Sequence, residues 1–171
     1  SIPLIVHSAA ISNTIILTDA AGVHRQGIDE HLGEYDHNIQ IRLLVGSIIP
    51  AQAHQKAVKL RQVLRQQILD ALEKVDVLVM PTSSIPASPI PTKAGIGSKQ
   101  EVLDGLAGRR SFTAPFNVAN TPALSINCGF TSQQLPVGFQ IAGKPFGEGT
   151  LFRVAQAYEQ ATDWHTRRPP I

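Results

Sequence analysis

The clearest pattern in the chain runs from Ala53 to Leu72. Ala53, Ala57, Leu60, Leu64, Ile68, Ala71 and Leu72 recur every three to four residues, with Lys56, Lys59, Gln62, Arg65 and Gln66 between them. This spacing predicts a long helix with one buried side and one solvated side. Pro50 suits its first turn, where a missing N–H is no loss. The period changes at Val75. Asp76-Val-Leu-Val-Met80 is a continuous apolar run of strand length stopped by Pro81, which predicts a buried strand and an α/β arrangement. Two further runs alternate with period two. Leu124, Ile126 and Cys128 face one way and Ala123, Ser125 and Asn127 the other; Val137, Phe139 and Ile141 then alternate with Gly138, Gln140 and Ala142. The turn-prone connection between them predicts a β-hairpin. Pro122 biases Thr121 away from helical geometry and ends whatever precedes it.

Elsewhere the pattern is weaker. Residues 2–18 read as extended or mixed apolar segments, with Ile15, Ile16 and Leu17 as a buried strand. Thr18 or Asp19 can cap a helix running to about Glu34, although Gly22 and Gly27 each weaken it by about 1 kcal/mol relative to alanine. A short helix is expected over Asn38–Gly46 and another, or a turn, over Glu101–Arg110. Glu148 opens a last amphipathic helix with Leu151, Val154, Ala155, Tyr158 and Ala161 on one side, its acid placed at the positive end. Residues 81–100, rich in proline and serine, read as a long surface or cleft loop. From Trp164 onward the chain reads as a tail. No internal boundary or repeat interrupts residues 1–171, which are expected to form a single domain.

Composition narrows the class. The chain has 171 residues, 43% of them apolar and 16% charged, with a net charge of +2; that is an ordinary globular composition. Its basic residues are not gathered into one face, so no nucleic acid is expected as partner. The one cysteine excludes an intrachain disulfide and fits a reducing, cytoplasmic setting. Placed on the apolar side of its strand, Cys128 is expected to be buried and inert. Residues 1–18 carry no charged side chain apart from His7, but Pro3, Ser8, Ser12, Asn13 and Thr14 interrupt them, so neither a leader nor a membrane span is expected. The chain opens at Ser1 without a methionine, and the expectation is a piece of a longer protein.

Candidate chemistry is sparse. Gly138-Phe-Gln-Ile-Ala-Gly143-Lys144 has the glycine and lysine spacing of a phosphate loop, but Pro145 follows the lysine and the intervening residues alternate as a strand. Ser83-Ser84 has no flanking glycine to let backbone N–H groups approach a reacting carbonyl, so it reads as a loop pair and not a nucleophile. His24 and His31 could share a helix face, yet no other ligand completes a metal set, and neither metal nor cofactor is expected. The residues themselves give an α/β domain without a complete catalytic set.

Three blocks carry a resemblance. Arg42-Leu-Leu-Val-Gly46 is followed by the long helix and Asp76-Val-Leu-Val-Met-Pro-Thr82. Phe112-Thr-Ala-Pro-Phe-Asn117-Val-Ala-Asn120-Thr-Pro122-Ala-Leu-Ser125 comes second. Leu135-Pro-Val-Gly138-Phe-Gln140-Ile-Ala-Gly143, then Pro145-Phe146-Gly-Glu148 and the last helix, come third. In order and spacing, from about Asp19 onward, these resemble the C-terminal part of amidase signature enzymes.

The resemblance implies an α/β fold with a mixed β-sheet flanked by helices. It also implies a parent reaction, hydrolysis of amide bonds by acyl transfer through two serines and a lysine. Those residues belong to the portion of the family's sequence that precedes the blocks present here. No catalytic residue is therefore assigned to this chain, and alone it is expected to be inactive. Its small-molecule amide substrate would be met only together with the missing N-terminal half. In relatives that amidate tRNA using glutamine, an arginine matching Arg42 holds the substrate carboxylate and an aspartate at the position of Arg110 holds the amino group. Here that aspartate is replaced by a cation, which would repel glutamine's ammonium. Arg42, Arg110, Asn117 and Asn120 are the expected substrate-binding residues. Arg42 could equally pin a helix to neighbouring carbonyls. The alternatives are a non-catalytic binding or oligomerisation module on the same scaffold, and a fragment of a glutamine-dependent tRNA amidotransferase subunit. Surfaces that would face a missing half predict a homodimer.

Overall fold

A computed structural model describes residues 1–90 and 112–167. A short 3-10 turn, Pro3–His7, leads into helix α1 (Ser8–Val23), followed by α2 (Arg25–His31), α3 (His37–Ile48) and α4 (Ala51–Leu72). Strand β1 (Val77–Pro81) comes next. Beyond residue 111 lie the short helix α5 (Ala114–Ala119), strands β2 (Ala123–Phe130) and β3 (Pro136–Gly143), and helix α6 (Glu148–Ala161). The expected Glu101–Arg110 element lies outside the described residues.

The long helix forms as its spacing predicts, with Ala57, Leu64, Ile68 and Leu72 buried. These join Ile11, Val118 and Ala119 in one core cluster, against which Leu60 and Leu78 pack. Arg61 and Arg65, on the flank of α4, reach across to the carbonyl end of α5. Arg61 Nε donates to Val118 O at 3.0 Å, and Arg65 Nη1 donates to Ala119 O and Asn120 O. Lys/Arg donors at a helix C-terminus satisfy orphan carbonyls and suit its partial negative charge.

The three strands form one sheet in the order β1-β3-β2, antiparallel throughout. The predicted hairpin is β2–β3, with Leu124 opposite Ile141 and Ile126 opposite Phe139. One sheet face, carrying Val77, Leu124, Ile126, Phe139 and Ile141, packs under Leu151, Val154 and Ala155 of α6. Phe139 meets Tyr158 edge-on at 4.9 Å between ring centroids. On the other face, Leu78 joins the core beneath α4 and α5.

Several expectations are corrected. Ile15–Leu17 is not a strand; it lies within α1. Apolar residues occupy all sides of this helix, so no stripe of period 3.6 announces it, and packing against α3, α4 and α5 decides its form. The Thr14 and Thr18 hydroxyls donate back to Ala10 O and Thr14 O, at 2.9 and 2.7 Å. By length and apolar character the stretch Pro3–Val23 would be sufficient to cross a membrane, but Ile11 within it belongs to the shared core. The single helix expected from Asp19 to Glu34 is broken at His24, whose Nδ1 lies 3.1 Å from the Tyr35 hydroxyl. Strand β1 is an edge strand with Val79 56% exposed, because among the described residues only β3 pairs with it. Cys128 is half-buried instead of buried. The register slips between Asn127 and Gly129, and Cys128 is the extra residue of that bulge. Gly129 supplies the φ of +149° that the bulge requires.

Candidate functional site

The α4/α5 face of the sheet changes character along its length. Its residues on β3 are Ala142, Gln140 and Gly138 in turn, with Ala123, Ser125 and Asn127 opposite them on β2. At the Ala142 end the face is roofed by helices. At the Gly138 end no helix among the described residues covers it, and a groove of about 590 Å³ lies over it. Its floor is Gly138, Ser125 and Asn127, and its wall is the run Thr82–Ala87 that leaves β1.

The hydroxyls of Thr82 and Ser125 approach to 2.6 Å across the floor. A side chain at Gly138 would crowd both, since a Cβ there would lie 3.1 Å from each oxygen. Glycine inside a strand here keeps the floor low enough for the hydroxyl pair to meet. The wall is fixed locally: Ser83 Oγ donates to Ile85 O at 2.7 Å and accepts from Ile85 N, while Thr82 N donates to Gly138 O at 2.9 Å. Asn127 Oδ1 accepts from Gly129 N within the bulge, and its Nδ2 lies 3.5 Å from Trp164 O.

Chemically this groove is uncharged and mostly apolar, with the hydroxyls of Thr82, Ser83, Ser84 and Ser125 and the Asn127 amide set among Ile85, Pro86, Ile126 and Val137. It can orient a polar ligand through hydrogen bonds. Among the described residues, no hydrogen bond links the hydroxyls of Ser83, Ser84 or Ser125 to a histidine, carboxylate or lysine, so nothing there activates a nucleophile. No group of three or more His, Cys, Asp or Glu among the described residues is placed to hold a metal ion.

The four residues singled out from the sequence fall in separate places. Arg42 is exposed on α3, with no hydrogen bond or ion pair among the described residues. Arg110 lies outside the described residues. Asn117, exposed on α5, lines a crevice of about 170 Å³ with Ser12, Ile15, Ile16, Arg61 and Val118. Asn120 ends α5 in the left-handed region at φ 51°, its backbone carbonyl held by Arg65. Asparagine tolerates that conformation better than most residues. Asn117 and Asn120 thus share one helix end, and no described contact joins Arg42 to either.

The groove's main features escape sequence reasoning. The alternation correctly places Ser125 and Asn127 on one side of their strand, yet nothing marks Thr82 as their neighbour across β3. A glycine in the middle of a strand, Gly138, is the available signal.

The family model described as amidase matches residues 8–152. A glutamyl-tRNA(Gln) amidotransferase subunit from Synechococcus sp. (strain JA-2-3B'a(2-13)) is 39% identical over 138 residues, which is 78% of this chain and 26% of that protein. The chain therefore spans about a quarter of the length of this curated relative. Among solved structures, an amidase superposes with a TM-score of 0.77 at 22% identity, over 94% of this chain and 36% of that one, a likeness of fold. The corresponding glutamyl-tRNA(Gln) amidotransferase subunit from Thermotoga maritima gives a TM-score of 0.66 at 29% identity, over 95% of this chain and 34% of that one.

Proposed function

Because this chain belongs to the amidase family, we propose that it is the C-terminal part of an amide hydrolase and supplies one wall of the substrate cleft to a separate set of reacting residues. The observation that carries this reading is the open groove at the Gly138 end of the sheet. Its hydroxyl pair and uncharged lining suit recognition of an amide, and among the described residues it holds no activated nucleophile. Binding groups on one segment and reacting groups on another is a familiar division, since positioning and chemistry draw on different residues.

The test compares the purified 171-residue chain with the polypeptide that also carries the family's serine- and lysine-bearing portion. The chain alone should release no ammonia or amine from simple amides, and the longer polypeptide should turn them over. Steady turnover by the rigorously pure short chain would overturn the division of labour.

A second reading is favoured by the names of the relatives: the parent is a glutamine-dependent amidotransferase subunit, whose partners would include tRNA. Against it stands Arg110 at the position where the resemblance expects an aspartate for glutamine's ammonium. A cation there favours an amide that carries a carboxylate, met by Arg42, but no neighbouring ammonium. In the longer polypeptide, Arg110→Asp should raise kcat/KM for glutamine by at least about tenfold, the scale of one charge-assisted contact. Efficient glutamine hydrolysis by the unsubstituted protein would decide for the amidotransferase.

A further inference from the structure

Gln140 sits on the central strand, two residues from the floor glycine on the same face, and is only 2% exposed. Its carboxamide nitrogen carries two hydrogens, and both are used. One goes to Pro81 O at 3.3 Å, the other to Phe112 O at 2.6 Å. These acceptors are far apart in sequence. Pro81 is the last residue of β1 and hands the chain directly to the groove wall, Thr82–Ala87. Phe112 precedes α5, whose far end carries Asn117 and Asn120.

We propose that Gln140 is a positioning residue whose buried carboxamide clamps the start of the groove wall to the entry of α5, fixing where that wall stands over the sheet floor of the amide-binding cleft. Its role in binding rests on the reading of the groove as part of that cleft. The geometry explains the choice of side chain. A strand residue facing an apolar helix layer would ordinarily be apolar, as Ala142 is two residues further along. A primary amide is a compact uncharged group able to donate twice from one atom, so it can hold two carbonyls without burying a charge. Pro81 has no N–H and β1 ends there, so its carbonyl is a natural acceptor for a side chain. The neighbouring Thr82 N–Gly138 O bond makes the first wall residue part of the sheet, so the clamp acts where the wall begins.

Gln140→Met keeps the volume and removes both donors. In the 171-residue chain, amide hydrogen exchange at Thr82 and at Asn117, whose N–H groups bond to Gly138 O and Thr113 O, should accelerate by about tenfold, the equivalent of one lost hydrogen bond. The amides around Leu64 in α4 should keep their wild-type rates. Acceleration spread evenly over all three regions, or none, would overturn the clamp and leave Gln140 a packing residue. In the longer, amide-hydrolysing polypeptide, the same substitution should raise KM by about tenfold and change kcat by less than about threefold, because the groove wall binds substrate and does not react with it. An unchanged KM beside local acceleration of exchange would overturn the role in binding. If the unsubstituted polypeptide turns over no amide at all, the hydrolase reading fails, while the exchange pattern still decides the clamp.

Discussion

Helices α4 and α1 cross the same core and differ in how much of their apolar surface this chain covers. On α4, Leu64, Ile68 and Leu72 are fully buried, lysines and glutamines occupy the opposite side, and Arg61 and Arg65 on the flank reach α5. On α1, Ile11 and Ala21 are buried, yet Ile16 is 48% exposed and Val23 82%. Its partner α3 continues the exposed surface with Ile39, Leu44, Val45 and Ile48. The apolar side of α4 matches what packs on it. The apolar surface of α1 and α3 exceeds it, as expected of helices whose surroundings include more protein than these residues provide. This agrees with a chain spanning about a quarter of the length of a curated relative.

Substitutions should separate the two regions. Leu64→Ala, which empties a fully enclosed site, should lower unfolding free energy by about 3 kcal/mol in urea titration. Comparable stability in the variant would mean that the α4 core is not the stabilising centre of the domain. Gly46→Ala comes next. Gly46 lies where α3 meets α1, and a Cβ there would overlap the Leu17 carbonyl, so the helices must part at a cost of about 2 kcal/mol. A neutral result would show that the α1–α3 contact yields easily. Smallest is Ile48→Ser, on a residue 78% exposed. It should change monomer stability by no more than about 0.5 kcal/mol while reducing self-association measured by light scattering. A wild-type chain that remains monomeric at high concentration would remove self-association as the fate of this surface.

The same contrast explains what can be read from the sequence. Helix α4 is legible because one side meets core and the other water, and that difference is written as a period. Helix α1 reads as strand because its apolar residues have no period, and β-branched Ile15 and Ile16 favour an extended reading. The hairpin's alternation reveals both faces of β2 and β3, but not the slip at Cys128, since a bulge leaves the alternation of types intact while shifting their direction. Of the groove, Ser125 and Asn127 can be placed on their face. The same alternation places Gln140 on its face, but neither its partners Pro81 O and Phe112 O nor the position of Thr82 can be read, because they reach β3 only through long-range folding. Arg42, Asn117 and Asn120 are singled out by resemblance, and their positions on α3 and at one end of α5 depend on helix packing that no local pattern encodes.

The arginine contacts from α4 to α5 also bear on the order of assembly. With six residues, α5 is far below the length at which a helix persists on its own. Its carbonyl end is held by Arg61, 57 residues earlier in the chain, and by Arg65. Both bonds therefore close a long loop before they return any stability, a cost that grows slowly with loop length but is largest at the first closure. The short helix bearing Asn117 and Asn120 therefore depends for its carbonyl partners on a helix more than fifty residues earlier in the chain, and it should be lost together with α4 and not before it.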